Sequence, residues 1–221
     1  MAVYDLEEQE QLEELKTWWK QYGNMVTGVL LVAALALAAW QGWNWWQRGQ
    51  AGQASTLYFG VEKAVTESDA KRSRELAGEI IDKYPGTAYA SLAALLSAKI
   101  QVEKGEAKNA KVQLQWVTEH TKDDALRDLA RLRLATLLLD EKNYAEAHKQ
   151  LTAEPVESFR PRFSELKGDV FVAQGKAGDA RTSYRSALTL MDKASDEDAT
   201  GVQPVYREVL QTKLDALGAA K

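Results

Sequence analysis

One long apolar run and a series of shorter helical stripes organise this chain. From Gln21 to Gln47, 27 residues pass without an Asp, Glu, Lys or Arg, and Met25 to Trp40 is almost wholly apolar. A bilayer core about 30 Å thick needs about 20 apolar residues in a helix that rises about 1.5 Å per residue. Trp18, Trp19 and Tyr22 precede the run, and Trp43, Trp45 and Trp46 follow it. Such rings keep one side wet and suit the water–lipid boundary. The pattern predicts a transmembrane helix over 23–47, with these six aromatics at the membrane interface. Before it, Leu12, Leu15, Trp19 and Tyr22 recur at steps of three and four. Segment 1–22 is therefore expected to be an amphipathic helix running on into the membrane, its acids at the end that the helix dipole favours.

Within the run, Ala34, Ala38 and Gly42 fall four apart on one face. Small residues at that spacing let another helix approach closely; an alanine-rich helix meeting only lipid has the same pattern. A cleaved signal peptide competes for the same segment, because Ala36-Leu37-Ala38 resembles a cleavage-site pattern. The acidic lead and the tryptophan-rich exit favour an uncleaved anchor.

Residues 48–221 change character. They are rich in Ala, Leu, Glu, Lys, Gln and Arg, all good helix formers, and no segment alternates in the way a strand requires. Pro85, Pro155, Pro161 and Pro204 stand at breaks. The reading is all-α, with the bilayer exit between Arg48 and Ser55. An internal period then appears. Gly168 and Phe171 share a packing face, Gly175 marks a turn, and Ala180, Tyr184 and Ala187 follow on the next helix. Thirty-three residues earlier stand Ala135, Leu138, the turn leading to Tyr144, then Ala147 and Leu151. A further 37 back stand Ala98, the turn at Gly105, Ala110 and Leu114. The middle unit lacks the turn glycine and the first lacks the aromatic. This is similar to tetratricopeptide repeats, in which helix pairs stack into a solenoid and small residues allow the axes to approach. An earlier pair is expected at about Ser55–Thr66 and Asp69–Tyr84, closed by Tyr84-Pro85-Gly86. A last helix near Pro204–Leu217 would cap a stack of three to four hairpins.

Charge sharpens the picture. Residues 1–22 carry six acids against Lys16 and Lys20 and account for the whole net charge of −4; residues 48–221 hold 26 acids and 26 bases. A neutral domain without a basic stripe gives no electrostatic case for nucleic acid. Cysteine is absent, so there is no disulfide and no thiolate chemistry. Lys16 and Lys20 precede the span, while Arg48 and the more distant Lys63 follow it. With the short leading flank, this favours a cytoplasmic N-terminus and a translocated domain.

Candidate chemistry is sparse. His120 and His148 are the only histidines, 28 residues apart, and read as surface helix residues. No Gly-x-Ser-x-Gly occurs. Gly168 to Lys176 resembles a phosphate loop, but its glycines are too widely spaced and no strand precedes it. Asp123-Asp124 after Thr121 suits a helix start, and the lysines of 104–111 read as a solvated face. No enzyme, cofactor or metal site is expected.

The pieces combine into a resemblance. Glu7-Glu8-Gln9-Glu10-Gln11-Leu12-Glu13-Glu14-Leu15-Lys16-Thr17-Trp18-Trp19-Lys20 runs directly into the span. The Tyr84-to-Ala90 turn and a terminal Lys167-Gly168-Asp169 repeat follow. The chain resembles the ancillary SecYEG translocon subunits, the YfgM-like repeat proteins of the bacterial inner membrane, over nearly its whole length. The resemblance implies an uncleaved single-pass anchor, a periplasmic repeat domain and association with the SecYEG channel. It further implies a membrane-anchored periplasmic chaperone of the prolyl-isomerase type as partner, exported polypeptides as clients, and a non-enzymatic role. A membrane-anchored scaffold for another envelope or division complex is the alternative.

Overall fold

The computed structural model describes residues 4–197 and 204–219, and every described element is helical. Residues 198–203, just before the expected last helix, lie outside the described residues, as do the side chains of the leading acids up to Glu10. Helix α1 is Tyr4–Thr66, followed by α2 Ala70–Lys83, α3 Ala88–Glu103, α4 Ala107–His120 and α5 Asp124–Asp140. Then come the short α6 Tyr144–Gln150, a 3-10 turn at Glu157–Phe159, α7 Arg160–Ala173, α8 Ala177–Glu197 and α9 Pro204–Ala219. The described chain divides after Gln50 into two compact units.

In the first unit, the apolar stretch of α1 turns its side chains outward. Val29, Leu30, Leu31, Val32, Leu35, Leu37 and Trp40 are each 59–65% exposed. A soluble helix would bury such a surface against its own fold. The Gly- and Gln-rich stretch around residues 48–55 stays helical, because nothing in it stops the hydrogen-bond ladder. Ser55 and Thr56 turn their hydroxyls back onto the Gly52 carbonyl, at 2.8 and 3.2 Å.

In the second unit, successive helices pair as hairpins. The end of α1 packs on α2 through Ala54, Val61, Leu76, Ala77 and Ile80, all buried. Gly60 lets them close up: a Cβ there would stand 3.0 Å from Leu76 Cδ1. Helix α3 packs on α4, α5 on α6, and α7 on α8, with α9 against α8. Ala90, Ala93, Ala94 and Ala98 are all buried on α3, so its neighbours can approach closely at these positions, while Leu95 and Ile100 fill the space beside them. One apolar cluster runs from α3 to α7 around Leu114, Leu134, Leu151, Phe163 and Val170. A separate cluster of Tyr184, Leu188, Met191 and Leu210 joins α8 to α9.

Four of the described turns, those within the α1–α2, α3–α4, α5–α6 and α7–α8 pairs, share one backbone device. Ser68, Gly105, Lys142 and Gly175 have φ of 58°, 78°, 60° and 74°. In each, the next residue donates its N–H five residues back: Asp69 to Ala64, Glu106 to Gln101, Asn143 to Leu138 and Lys176 to Phe171, at 2.7–2.9 Å. This left-handed cap satisfies carbonyls that the helix end would otherwise leave open. The turns are 37, 37 and 33 residues apart. The unit without a turn glycine therefore makes the same turn with Lys142.

Candidate interaction surfaces and their relatives

The repeat positions read from the sequence occupy the helix contacts. Ala98, Ala110, Leu114, Ala135, Leu138, Ala147, Leu151, Gly168, Ala180, Tyr184 and Ala187 are buried. Tyr144 and Phe171 are half-buried, and Gly105 and Gly175 lie exposed at their turns. Gly168 faces the Tyr184 ring, leaving no room for a Cβ. Phe171 also meets His148 across the hairpin junction, with ring centroids 5.4 Å apart. His148 is thus half-buried rather than free on the surface; His120 is exposed, stacked on Trp116 at 5.0 Å and bonded to the Trp116 carbonyl.

Asp123 is the N-cap of α5, accepting from the Leu126 N–H at 3.0 Å, and Asp124 pairs with Arg127. Within the lysine-bearing block 104–111, Lys111 is not merely solvated: it reaches across to Glu141 of the next hairpin. Among the described residues, no group of three His, Asp or Glu side chains is placed to hold a metal ion.

On the apolar part of α1, Trp18 packs on Trp19 and Tyr22 with centroids at 6.3 and 5.8 Å, and Trp43 on Trp46 at 5.2 Å. Trp45 is 79% exposed. Ala34, Ala38 and Gly42 are exposed, and a Cβ at Gly42 would meet nothing within 4 Å.

The described helical hairpins match a family profile, "Tetratricopeptide repeat-like domain", over residues 16–219, which includes much of the apolar helix. A Neisseria gonorrhoeae protein named "Ancillary SecYEG translocon subunit" is 32% identical over 98% of this chain and 100% of its own length. Proteins of the same name from Escherichia coli and Haemophilus influenzae are each 27% identical. They cover 98% and 84% of this chain, and 99% and 90% of their own lengths. The chain belongs to this family of ancillary SecYEG translocon subunits.

Several groups that organise this family member escaped sequence reasoning. Asp128, 2% exposed, accepts from the Val156 N–H at 2.8 Å and from Arg131 at 3.2 Å, tying α5 to the chain beyond α6. Arg133 donates to the Leu95 carbonyl at 2.9 Å, joining α5 to α3. Gln101, fully buried, donates to Ser97 and to Gln113 Oε1, at 2.8 and 3.0 Å.

A polar latch holds α9. Glu165 on α7 accepts from Lys213 at 2.9 Å and from the Tyr206 hydroxyl at 2.7 Å, and Asp169 accepts from Lys213 and from the Tyr184 hydroxyl. Burial alone would push the Glu165 carboxyl up. The hydrogen bonds from Lys213 and Tyr206, with the charges of Lys213 and Arg162, outweigh it and hold the group below the usual carboxylate value. Burial and the neighbouring carboxylates push both phenols up. The only signal in the sequence was Glu165 and Asp169 one helical turn apart, which marks a shared face but not a partner.

Proposed function

We propose that this protein is a non-enzymatic subunit of the SecYEG protein-export channel, anchored by α1 with its N-terminus in the cytoplasm. Its domain of 51–221 then works in the periplasm, helping newly exported chains engage a membrane-anchored chaperone of the prolyl-isomerase type. The observation that carries this reading is the near full-length match to relatives named as translocon subunits, which covers the apolar helix and the hairpins together. The outward apolar face of α1 and its two aromatic clusters support a bilayer anchor bracketed at both interfaces. The exposed Ala34–Gly42 face supports docking of that anchor against a channel helix. Stacked hairpins offer the domain an extended surface for other chains. Tethering keeps that surface at high local concentration beside the exit without requiring tight contacts.

Affinity purification of the full chain in mild detergent, with bound proteins identified, tests the assignment. The channel and a periplasmic chaperone are the expected companions. A domain released by cleavage near Arg48 should stay folded and lose most of its channel association. Equal recovery of the channel with the soluble form, or a reporter fused after Lys221 that proves cytosolic, would overturn the reading.

A further inference from the structure

A cavity of about 120 Å³ opens where the α2–α3 turn meets the α4–α5 turn, at the ends of these helices away from Gly105. Thr87, Ala88 and Ser91 line one side, and Thr121, Lys122 and Asp123 the other. Its volume matches about four waters at roughly 30 Å³ each. Drug-sized ligands occupy sites of about 300 Å³ and more, so only a small group fits.

Two buried hydroxyls on its walls are unspent. Ser91 is 2% exposed, and its hydroxyl bonds to nothing among the described residues. The helical hydroxyls of Ser55, Thr56, Thr182 and Ser183 turn back onto a carbonyl about one turn earlier; that of Ser91 does not. Ser91 stands four residues before Leu95 and seven before Ala98, on the face of α3 that packs toward α4 and α5. Its hydroxyl is therefore aimed at the cavity that the residue lines. A buried hydroxyl left without a partner is costly and calls for an occupant. Thr121, 8% exposed, accepts the Asp123 N–H at 3.3 Å, while its own O–H donates to nothing among the described residues.

The backbone and one lysine add to these donors. Thr87, the N-cap of α3, gives no side-chain cap, because its hydroxyl donates to the Tyr84 carbonyl at 2.9 Å. The first N–H groups of this 16-residue helix thus lack a side-chain acceptor at its positive end. Lys122 has no ion-pair partner among the described residues. The other charged or titratable groups at the cavity are committed. Asp123 caps α5 through the Leu126 N–H at 3.0 Å, and Arg127 pairs with Asp124. His120, also at the rim, spends its Nδ1–H on the Trp116 carbonyl at 2.9 Å. One free cation, one capping carboxylate and a helix end suit a single negative charge better than two.

We propose that this cavity binds the phosphate group of a phosphodiester. The Ser91 and Thr121 hydroxyls and the first N–H groups of α3 hold its oxygens, and Lys122 meets its charge at the mouth. Donors that converge from two turns and a helix end suit a tetrahedral group more than a planar carboxylate. The volume admits the phosphate and leaves its ester arms outside. A lipid headgroup and a soluble diester share this chemistry, and the site does not depend on the translocon reading.

The full chain in maltoside micelles, in phosphate-free buffer, is titrated with dimethyl phosphate while the amide resonances of Ala88 and Ser91 are followed by NMR. A second titration dopes the micelles with phosphatidylglycerol, and a third adds sodium chloride to the same ionic strength. Saturable shifts with either diester and not with chloride are expected, and the diester that binds tighter names the source. Ser91→Ala and Lys122→Gln should each weaken binding roughly tenfold or more, the scale of a hydrogen bond to a charged group. Without ligand, Ser91→Ala should melt no lower than the parent, because the hydroxyl it removes has no partner. The proposal is overturned by chloride shifts equal to those of the diesters, by no saturation with either diester, or by unchanged affinity in either variant. A Ser91→Ala chain that melts lower without ligand overturns it too, since that hydroxyl would then serve the fold.

Discussion

Gly168 of α7 lies directly against the ring of Tyr184 on α8, so close that a Cβ on the glycine would overlap the ring carbons. The ring cannot swing away freely, because its hydroxyl donates to Asp169 at 2.7 Å and the side chain is 2% exposed. The last hairpin thus closes on a missing side chain.

Gly168→Ala is therefore expected to destabilise the domain by about 1–3 kcal/mol, the scale of overpacking in a closed core. Thermal unfolding followed by circular dichroism measures it. Gly178→Ala, at a position where a Cβ would meet nothing within 4 Å, is the control and should not lower stability. Equal melting of the two variants would contradict the packing account.

The turn residues give a second expectation. Lys142 and Ser68 hold a left-handed conformation that costs an L-residue about 1–2 kcal/mol and glycine far less. Part of the gain is lost to the greater freedom of glycine in the unfolded chain. Lys142→Gly should raise stability by about 0.5–1 kcal/mol, whereas Gly105→Ala and Gly175→Ala should lower it. Urea midpoints read all three directions, and a Lys142→Gly variant less stable than the parent would refute the strain argument.

The latch on α9 sets a pH dependence. Glu165 is held below its ordinary value of 4.5, so its contribution is present above that pH and is lost as pH falls through the depressed folded value. Lys213 is raised by Asp169 and Glu165 despite the burial that opposes it. Its contribution is present below 10.5 and fades as pH rises beyond that. Tyr184 and Tyr206 are raised as well, so alkaline loss starts above their ordinary 10.0. Denaturant midpoints across pH should show a plateau flanked by these two losses. Lys213→Met should flatten both flanks and free α9 to amide exchange; unchanged exchange would mean that the apolar contacts of Leu210 suffice.

Asp128 supplies a further test. Replacing it with Ala strands the Val156 N–H, now bonded at 2.8 Å, and should cost about 1–3 kcal/mol. Asp128→Asn keeps an acceptor and should cost less. Hydrogen exchange at Val156 would separate the two, and equal protection in both variants would dismiss the clamp.

The helical class, the apolar span and the repeat were legible because they are periodic. Ala135, Ala147 and Leu151 announce a packing face by spacing alone, whatever their partners. Lys142 shows where spacing succeeds and composition fails: the turn lies where the period puts it, although its residue gives no hint of a left-handed φ. Partners more than 30 positions apart were not legible. Nothing local says that Glu165 will meet Tyr206 and Lys213, or that Arg133 will reach Leu95, because those meetings depend on how three helices stack.

The matched turns make the domain divisible. A segment cut from just after Gly105 to Lys142 begins and ends in the same backbone geometry, so a duplicate of it should splice in without a new joint. The chain could thus be lengthened or shortened by whole hairpins without inventing another loop.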